Sequence, residues 1–261
     1  MRRIAEKLLA GMLALAAVLA LGAAWGLWGG VSNPAGRKNI GQISAPVGFE
    51  RIPVEKDSFG EFLRGFPLQK RGSRIKYYNG KTALGQCFGY AVLDLPMLAN
   101  TEQCADAVMR MRAEYLWEKG QYNRIQFRSV RGVDQRYTGG GSRRAFAQYL
   151  RNVYGNSNTA SLRREMKPKP LREIAPGDVL VYAAPNARTY GHAVLVADVA
   201  HNARTGRTAI LLAQSSTPAR TMHIIRNLSH PFVSPWVIVN GSDTDINISG
   251  MHFKAADLRG W

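Results

Sequence analysis

Three residue types that together could cleave an amide bond occur in a workable order along the chain: Cys104, His192 and Gln214. A cysteine hydrolase needs a thiolate, a histidine that takes and returns a proton, and a polar group that orients the imidazole. The pattern places Cys104 near the start of a helix, where unpaired N–H groups and the helix dipole stabilise a thiolate. These residues predict catalysis by a Cys-His pair oriented by Gln214, with no cofactor.

Two other interpretations of Cys104 remain open at this level. Cys87 and Cys104 are the only thiols of the chain, and an oxidising compartment could join them in a disulfide. Cys104 also shares an apolar helical stripe with Val108 and Met111, so it could be an inert core thiol. Similarly, a lone His192 at the start of an apolar strand is typical of a hydrogen-bonded core histidine.

The other residue clusters give weaker indications of a functional site. The remaining histidines lack the spacing or the Cys/Asp companions of a zinc site, so no metal is expected. The triple glycine at 139–141 could hold a phosphate before the helix that Ser142 caps, but a flexible turn is favoured. Asp106 and Glu114 are read as solvent-facing charges. Five arginines could form a basic face for an anionic polymer, or simply a solvated surface: Arg143, Arg144, Arg151, Arg163 and Arg164.

The N-terminus predicts export. Residues 8–30 carry no charge and follow Arg2, Arg3 and Lys7, and a helix of that length can cross a bilayer core of about 30 Å. It is either a cleavable signal or an uncleaved anchor, which leaves the chain secreted or attached to the membrane and facing the periplasm. The formal charge of +17 favours a polyanionic partner such as a cell-wall polymer, and export disfavours nucleic acid.

The remaining sequence predicts a linker over residues 31–47 and one α+β domain over residues 48–261. Helices come first: one capped by Ser58 and closed by Gly65, one over 102–119 with Thr101 as N-cap, one from Ser142 to Gly155, and a short one over 161–166. A strand over 87–95 lies between the first two. Strands over 178–184, 191–200, 208–214 and 222–226 follow as an antiparallel meander.

A hairpin over residues 201–207 sets the expected strand register. If His201 lies opposite Thr208, Gln214 and Ser216 come within one diagonal step of His192. Three polar side chains would then meet where the core strands end.

These strands carry a family resemblance. Pro-Gly-Asp178-Val-Leu-Val followed by Gly-His192-Ala-Val-Leu-Val resembles the strand pair of the NlpC-type, papain-like cysteine peptidases and amidases of bacterial cell walls. That superfamily has Cys at a helix N-terminus, His on a following strand and a polar residue on the next. The chain departs from it at Gln103-Cys104-Ala-Asp, where members usually have Asp-Cys-Ser-Gly, and the 88 residues between Cys104 and His192 exceed the spacing in compact members.

A longer resemblance covers about residues 48–236. The segments beginning at Gln103, Gly191, Leu211 and Ser234 are similar to exported bacterial proteins grouped as domain-of-unknown-function family 4846. This resemblance implies an envelope protein and leaves its activity open. We therefore expect an envelope cysteine hydrolase that cleaves an amide in a peptidoglycan stem peptide or related conjugate. The alternative is a non-catalytic basic protein that binds an anionic polymer or a protein partner.

Overall fold

The computed structural model describes residues 31–184 and 190–261. The predicted export segment, residues 1–30, lies outside the described residues. Within the two described ranges, no helix is both long and apolar enough to cross a membrane.

The described residues form a mixed α/β fold with antiparallel sheets, as the sequence predicted. Side-chain caps start two helices at the expected serines: Ser58 accepts a hydrogen bond from the Glu61 amide, and Ser142 accepts one from the Ala145 amide. In these ranges the α-helices are α1 (Phe59–Gly65), α2 (Cys104–Glu118), α3 (Arg143–Asn156) and α4 (Thr159–Glu165).

The main sheet is built around one long hairpin of two apolar strands. Nine described strands form this sheet: β1 (Glu50–Arg51), β2 (Gly89–Val92), β5 (Lys167–Pro168), β6 (Val179–Tyr182), β7 (His192–Asn202), β8 (Arg207–Gln214), β9 (His223–Ile225), β10 (Val237–Val239) and β13 (Leu258–Gly260). Their order is β2-β9-β8-β7-β6-β13-β5, with β1 added beside β7 and β10 beside β8. Two small hairpins pair β3 (Gln126–Arg128) with β4 (Asp134–Arg136) and β11 (Asp245–Ile248) with β12 (Met251–Lys254).

The predicted meander is present as β6, β7, β8 and β9, which follow one another in both sequence and space. Two pairings depart from a purely local order. β2 comes before α2 but pairs with β9, and the C-terminal β13 pairs with both β6 and β5. Such non-local pairings leave no short-range signal in a sequence, because several other elements lie between the partners along the chain.

A β-bulge changes the register of the central hairpin. His201 lies opposite Thr208, as predicted, but the register shifts by one residue between Val196 and Asp198. An unbroken register would have put His192 and Gln214 on opposite faces of the sheet, because side chains alternate along a strand. The bulge returns them to one face, where they meet.

The two faces of the sheet bury separate hydrophobic cores. Ala193, Leu195, Leu211 and Ala213 face the core that α2, α3 and α4 cover. Val194, Val196 and Leu212 face a second core, which is closed by the β11–β12 hairpin. Both faces of β7 and β8 are therefore buried, which explains their nearly continuous apolar sequences.

The predicted linker over residues 31–47 is part of the folded domain. Ile40 and Ile43 are fully buried, and the Ile40 amide donates a hydrogen bond to the Phe66 carbonyl. Asn33 is buried too, and its side chain bonds the carbonyls of Arg37 and Gln69. The Ser/Asn/Pro/Gly composition of this segment indicated a tether, but its two isoleucines pack into the core and hold it in place.

A buried carboxylate anchors the bulge to the elements that cover it. Asp198 is completely buried. It accepts hydrogen bonds from Nε of Arg51 in β1 at 2.6 Å and from Nε of Arg64 in α1 at 2.8 Å, and also one from the Val199 amide. A charge buried this deeply needs such partners. The same three-residue cluster therefore joins β1 and α1 to β7.

We predict that Asp198→Ala lowers the free energy of unfolding by about 3–5 kcal/mol, because it leaves two guanidinium groups without their shared counter-charge. Urea unfolding at neutral pH measures this. Asp134→Ala is the matched control, since Asp134 forms a largely exposed pair with Arg128 and should cost no more than about 1 kcal/mol. Equal losses in the two variants would contradict the anchoring role of Asp198.

Candidate functional site

Cys104 is the first residue of α2. The N-cap is Gln103 and not Thr101 as predicted, because the Asp106 carboxylate accepts a hydrogen bond from the Gln103 amide at 3.0 Å and closes the first turn there. The thiol therefore stands at the very tip of the helix. The start of α2 is held beside the end of β8 by Ser215, whose hydroxyl donates to the carbonyls of Glu102 and Arg220.

His192 and Gln214 form a direct hydrogen bond. The distance between Nε2 of His192 and Oε1 of Gln214 is 2.8 Å. An amide oxygen can only accept, so Nε2 carries the proton and Nδ1 is left as a free base. Burial lowers the pKa of His192 below its ordinary value, with a further contribution from the positive charge of Arg220. The imidazole is therefore neutral at neutral pH and able to accept a proton.

The thiol lies next to the backbone that carries this histidine. The amide of Ala193, the residue after His192, is within hydrogen-bonding reach of the Cys104 sulfur, as are the amides of Cys104 and Ala105. Tyr182 pairs with His192 across β6 and β7. Burial raises the pKa of its phenol, and the charge that Cys104 would carry as a thiolate acts in the same direction. Ala193 belongs to the helix-covered core, whereas the His192 ring lies 6.1 Å from that of Phe253 in the second core.

The thiol and the imidazole line two cavities with a common wall. Cys104 borders a cavity of about 330 Å³ and His192 borders one of about 540 Å³, and Tyr190, Gly191 and Thr217 belong to both. A Cβ atom on Gly191 would lie 2.2 Å from the Thr159 hydroxyl, so glycine is required at this close approach of β7 to α4. We call these two neighbouring cavities together the cleft.

Burial dominates the electrostatics of the thiol. It raises the pKa of Cys104 to about 11, against the opposing hydrogen bonds from the backbone amides. The expectation of a thiolate stabilised by the helix terminus is therefore wrong for the resting protein, because desolvation outweighs the dipole. Burial likewise raises the pKa of Asp106, two residues further along α2, to about 8.

The two alternatives for Cys104 have different outcomes. Cys87 and Cys104 are both free thiols, so the structure contains no disulfide between them. Cys104 is only 5% exposed, which is compatible with a core thiol, yet it borders a cavity. Sequence reasoning grouped Cys104 with His192 and Gln214, and the structure joins two of the three, His192 and Gln214, by a hydrogen bond. It missed Tyr182 and Ala193, since nothing local in the sequence marks them.

The helix that carries Cys104 also carries a buried group of charges. Asp106 and Glu114, which were expected to face solvent, are 6% and 7% exposed, so that prediction is wrong. Arg110 explains the burial of Glu114, because it pairs with both Glu102 and Glu114. Asp106 has no such partner for Oδ1, which is buried without a hydrogen bond from any described residue, as is the Tyr154 hydroxyl. Both residues border the cavity of Cys104.

The arginines expected to form a basic face mostly bind the protein itself. Arg143 pairs with Glu114 at 2.5 Å and lies over the Trp117 ring. Arg163 pairs with Asp257. Arg151 and Arg164 donate to the carbonyls of Leu98 and Val130. These contacts engage four of the five arginines, although Arg143, Arg144, Arg151 and Arg164 are all exposed. The triple glycine forms a turn whose first member, Gly139, is crowded by Ala145 and Tyr137.

One protein-family model matches the chain, over residues 40–140 and 138–260, and it is described as "Domain of unknown function (4846)". No curated protein matches the chain. No solved structure matches it either.

The raised thiol pKa has a direct test in alkylation. In a Cys87→Ala variant, we predict that iodoacetamide modifies Cys104 at a rate that still rises with pH up to pH 10, because the thiolate fraction grows toward a pKa of about 11. Mass spectrometry at each pH measures the rate, and circular dichroism confirms that the fold persists. A rate that reaches its plateau below pH 8.5 would contradict this prediction.

A second titration involves His223, which is buried in the sheet beside Gln214. Its Nδ1 donates to the Thr221 carbonyl at 3.0 Å, and burial lowers its pKa to about 4. The unfolded chain binds a proton near pH 6.5, where the folded protein does not, so stability present above pH 6.5 is lost as the pH falls toward 4. The loss from this residue is roughly 3 kcal/mol at pH 4.

We predict that His223→Gln, which can still donate to Thr221 but cannot be charged, removes this part of the acid sensitivity. Urea unfolding between pH 4 and pH 7 gives the free energy of unfolding of the variant and of the natural chain. The difference between the two isolates the contribution of His223, because Asp106 contributes a pH dependence of opposite sign to both. His201→Gln, at an exposed histidine, is the control. The explanation fails if both variants keep the full pH dependence.

Proposed function

The chain belongs to the domain-of-unknown-function 4846 family, whose name states no activity, and we propose that it is a cysteine hydrolase acting on amide bonds. In this proposal Cys104 attacks the carbonyl carbon, His192 moves the proton and Gln214 orients the imidazole. The arrangement is papain-like in the order of its parts: a thiol at a helix start, then a histidine and a polar partner on successive strands. This order matches the NlpC-type enzymes that the strands resemble.

The observation that carries the proposal is the hydrogen bond between His192 Nε2 and Gln214 Oε1, on a strand whose next amide reaches the Cys104 sulfur. It leaves Nδ1 as the basic atom of a buried, neutral imidazole. General-base catalysis needs a base in that state, with its tautomer fixed by a third group.

The chemistry starts from a neutral pair, because burial raises the pKa of the thiol to about 11 and lowers that of the imidazole. As the sulfur forms its bond to the substrate carbonyl, Nδ1 of His192 takes the thiol proton. The carbonyl oxygen becomes an oxyanion, which the amides of Cys104 and Ala105 at the start of α2 can stabilise. Collapse breaks the C–N bond, and the imidazolium gives its proton to the departing amine.

Water then completes the cycle. His192 takes a proton from the water molecule that attacks the thioester, and the C–S bond breaks to release a carboxylic acid and restore the thiol. Asp106 Oδ1 and the Tyr154 hydroxyl, which lack protein partners among the described residues, supply polar contacts for a substrate in the smaller cavity.

The substrate class follows from charge and the expected location. A formal charge of +17 attracts polyanions, and the uncharged segment 8–30 supports export to the cell envelope or attachment to its membrane. We therefore propose an amide in a peptidoglycan stem peptide or a related envelope conjugate.

A non-catalytic binding protein is the second candidate, and one observation favours it: Cys104 is 5% exposed and its pKa is raised to about 11. In that case the cleft would hold an envelope ligand without cleaving it. The two candidates differ in whether the sulfur is needed.

We predict that purified cell-wall material treated with the natural protein yields new fragments, each of which has gained one water molecule at an amide. Mass spectrometry of the soluble products detects them. Cys104→Ala should abolish these fragments, because it removes the nucleophile. Cys87→Ala, which removes the other buried thiol, should leave them in place. Identical products from the natural chain and from Cys104→Ala would exclude the hydrolase and favour the binding protein.

A further inference from the structure

The larger cavity of the cleft contains one fixed cation and no acid among the described residues that line it. This cation is Arg220, which borders the cavity together with His192, Gln214 and His223. Both histidines are neutral at neutral pH, because burial lowers the pKa of each. The guanidinium is therefore the only formal charge that the described lining presents at neutral pH.

Arg220 has no counter-charge in the described parts of the chain. Its Nε is buried and has no hydrogen-bond partner there. The buried guanidinium of Arg110, by contrast, pairs with Glu102 and Glu114. A partly buried donor without a partner carries a free-energy cost, which a ligand that fills the position can recover.

The side chain starts from a well-fixed backbone. The Arg220 amide donates to the Ser215 hydroxyl, and that hydroxyl donates to the Arg220 carbonyl. The guanidinium carbon lies 5.4 Å from the ring centroid of Tyr77, a distance typical of a cation–π contact. The contact with Tyr77 restrains the guanidinium before any ligand arrives, which reduces the side-chain entropy lost on binding.

The charge of Arg220 already acts on the candidate base. It contributes to the lowered pKa values of His192 and His223, which places it within electrostatic reach of both imidazoles. A group bound to Arg220 therefore lies close to the atoms that the proposed reaction uses.

We propose that Arg220 is the specificity residue of the cleft and binds a carboxylate of the substrate. The ligand class is a peptide with a free carboxylate on the residue next to the scissile amide. A guanidinium presents two parallel N–H groups that match the planar carboxylate. No other residue of the described lining is charged, so none competes with Arg220 for the carboxylate. This inference rests on the proposed function for the position of the carboxylate beside the scissile amide, but binding to Arg220 needs no catalysis.

Binding of two small probes tests the assignment. The protein is the full-length chain carrying Cys104→Ala, so that no turnover occurs. N-acetylalanine carries a carboxylate next to an amide, whereas N-acetylalanine amide has the same shape without the charge. Ligand-observed NMR titrations at low salt measure the dissociation constant of each. We expect the carboxylate to bind at least about tenfold more tightly than the amide.

Variants at two arginines identify the source of that preference. Arg220→Met should remove it, and Arg220→Gln provides a second uncharged variant if the first does not fold. Arg144→Met is the matched control: Arg144 is exposed on α3, so it lowers the net charge equally and should keep the preference. Equal binding of the two probes, an unchanged preference in Arg220→Met or Arg220→Gln, or the same loss in Arg144→Met would overturn the proposal.

The outcome is separable from that of the proposed function. If Cys104 is not a nucleophile, cell-wall fragments do not appear, but the carboxylate preference of Arg220 persists. If Arg220 does not bind carboxylates, fragments still appear and depend on Cys104, while the two probes bind equally.

Discussion

The register of β7 against β8 is the constraint on which the candidate site depends. The bulge between Val196 and Asp198 shifts the pairing of β7 with β8 by one position for the residues from Val196 back to His192. This shift places the imidazole on the same face of the sheet as Gln214. The bulge is held by the Asp198 carboxylate, which binds Arg51 and Arg64 from two other elements. One buried charge cluster thus ties β1 and α1 to the sheet at one end of β7 and sets the geometry of the polar pair at the other. Without it, a slip of one residue would separate the two side chains.

Burial governs the protonation states around the cleft more strongly than the helix dipole does. A thiol at the first position of a helix should ionise easily, yet the surrounding protein raises the pKa of Cys104 to about 11. The same effect raises the pKa of Asp106 and lowers that of both His192 and His223. The thiol, the Asp106 carboxyl and the two imidazoles are therefore largely neutral at rest, and Arg220 is the one fixed charge among the described residues that line the cleft. This is why proton transfer in the proposed mechanism accompanies sulfur attack and does not precede it.

The distribution of satisfied and unsatisfied polar groups separates structural charges from candidate binding groups. Arg143 and Arg163 pair with acids of the chain, so these two charges contribute to the fold. By contrast, Asp106, Tyr154 and Arg220 each have a buried polar atom without a protein partner in the described residues, and all three border the cleft. Unpaired buried polar groups are costly, and their position at one cleft is explained if a ligand binds there.

The sequence by itself determined the α+β class, the serine caps of two helices, the long apolar hairpin with His201 opposite Thr208, and the residue types of the candidate site. These features follow from local spacing, because caps, periodicity and turns involve residues near each other in the chain. It did not determine the bulge, the burial of Asp106 and Glu114, the packing of residues 31–47, or the entry of β2 and β13 into the sheet. Those depend on partners brought from distant segments, such as Arg51 and Arg64 for Asp198, and only the folded chain places such groups together. The protonation state of Cys104 belongs to the second group as well, since desolvation is set by everything that surrounds the sulfur.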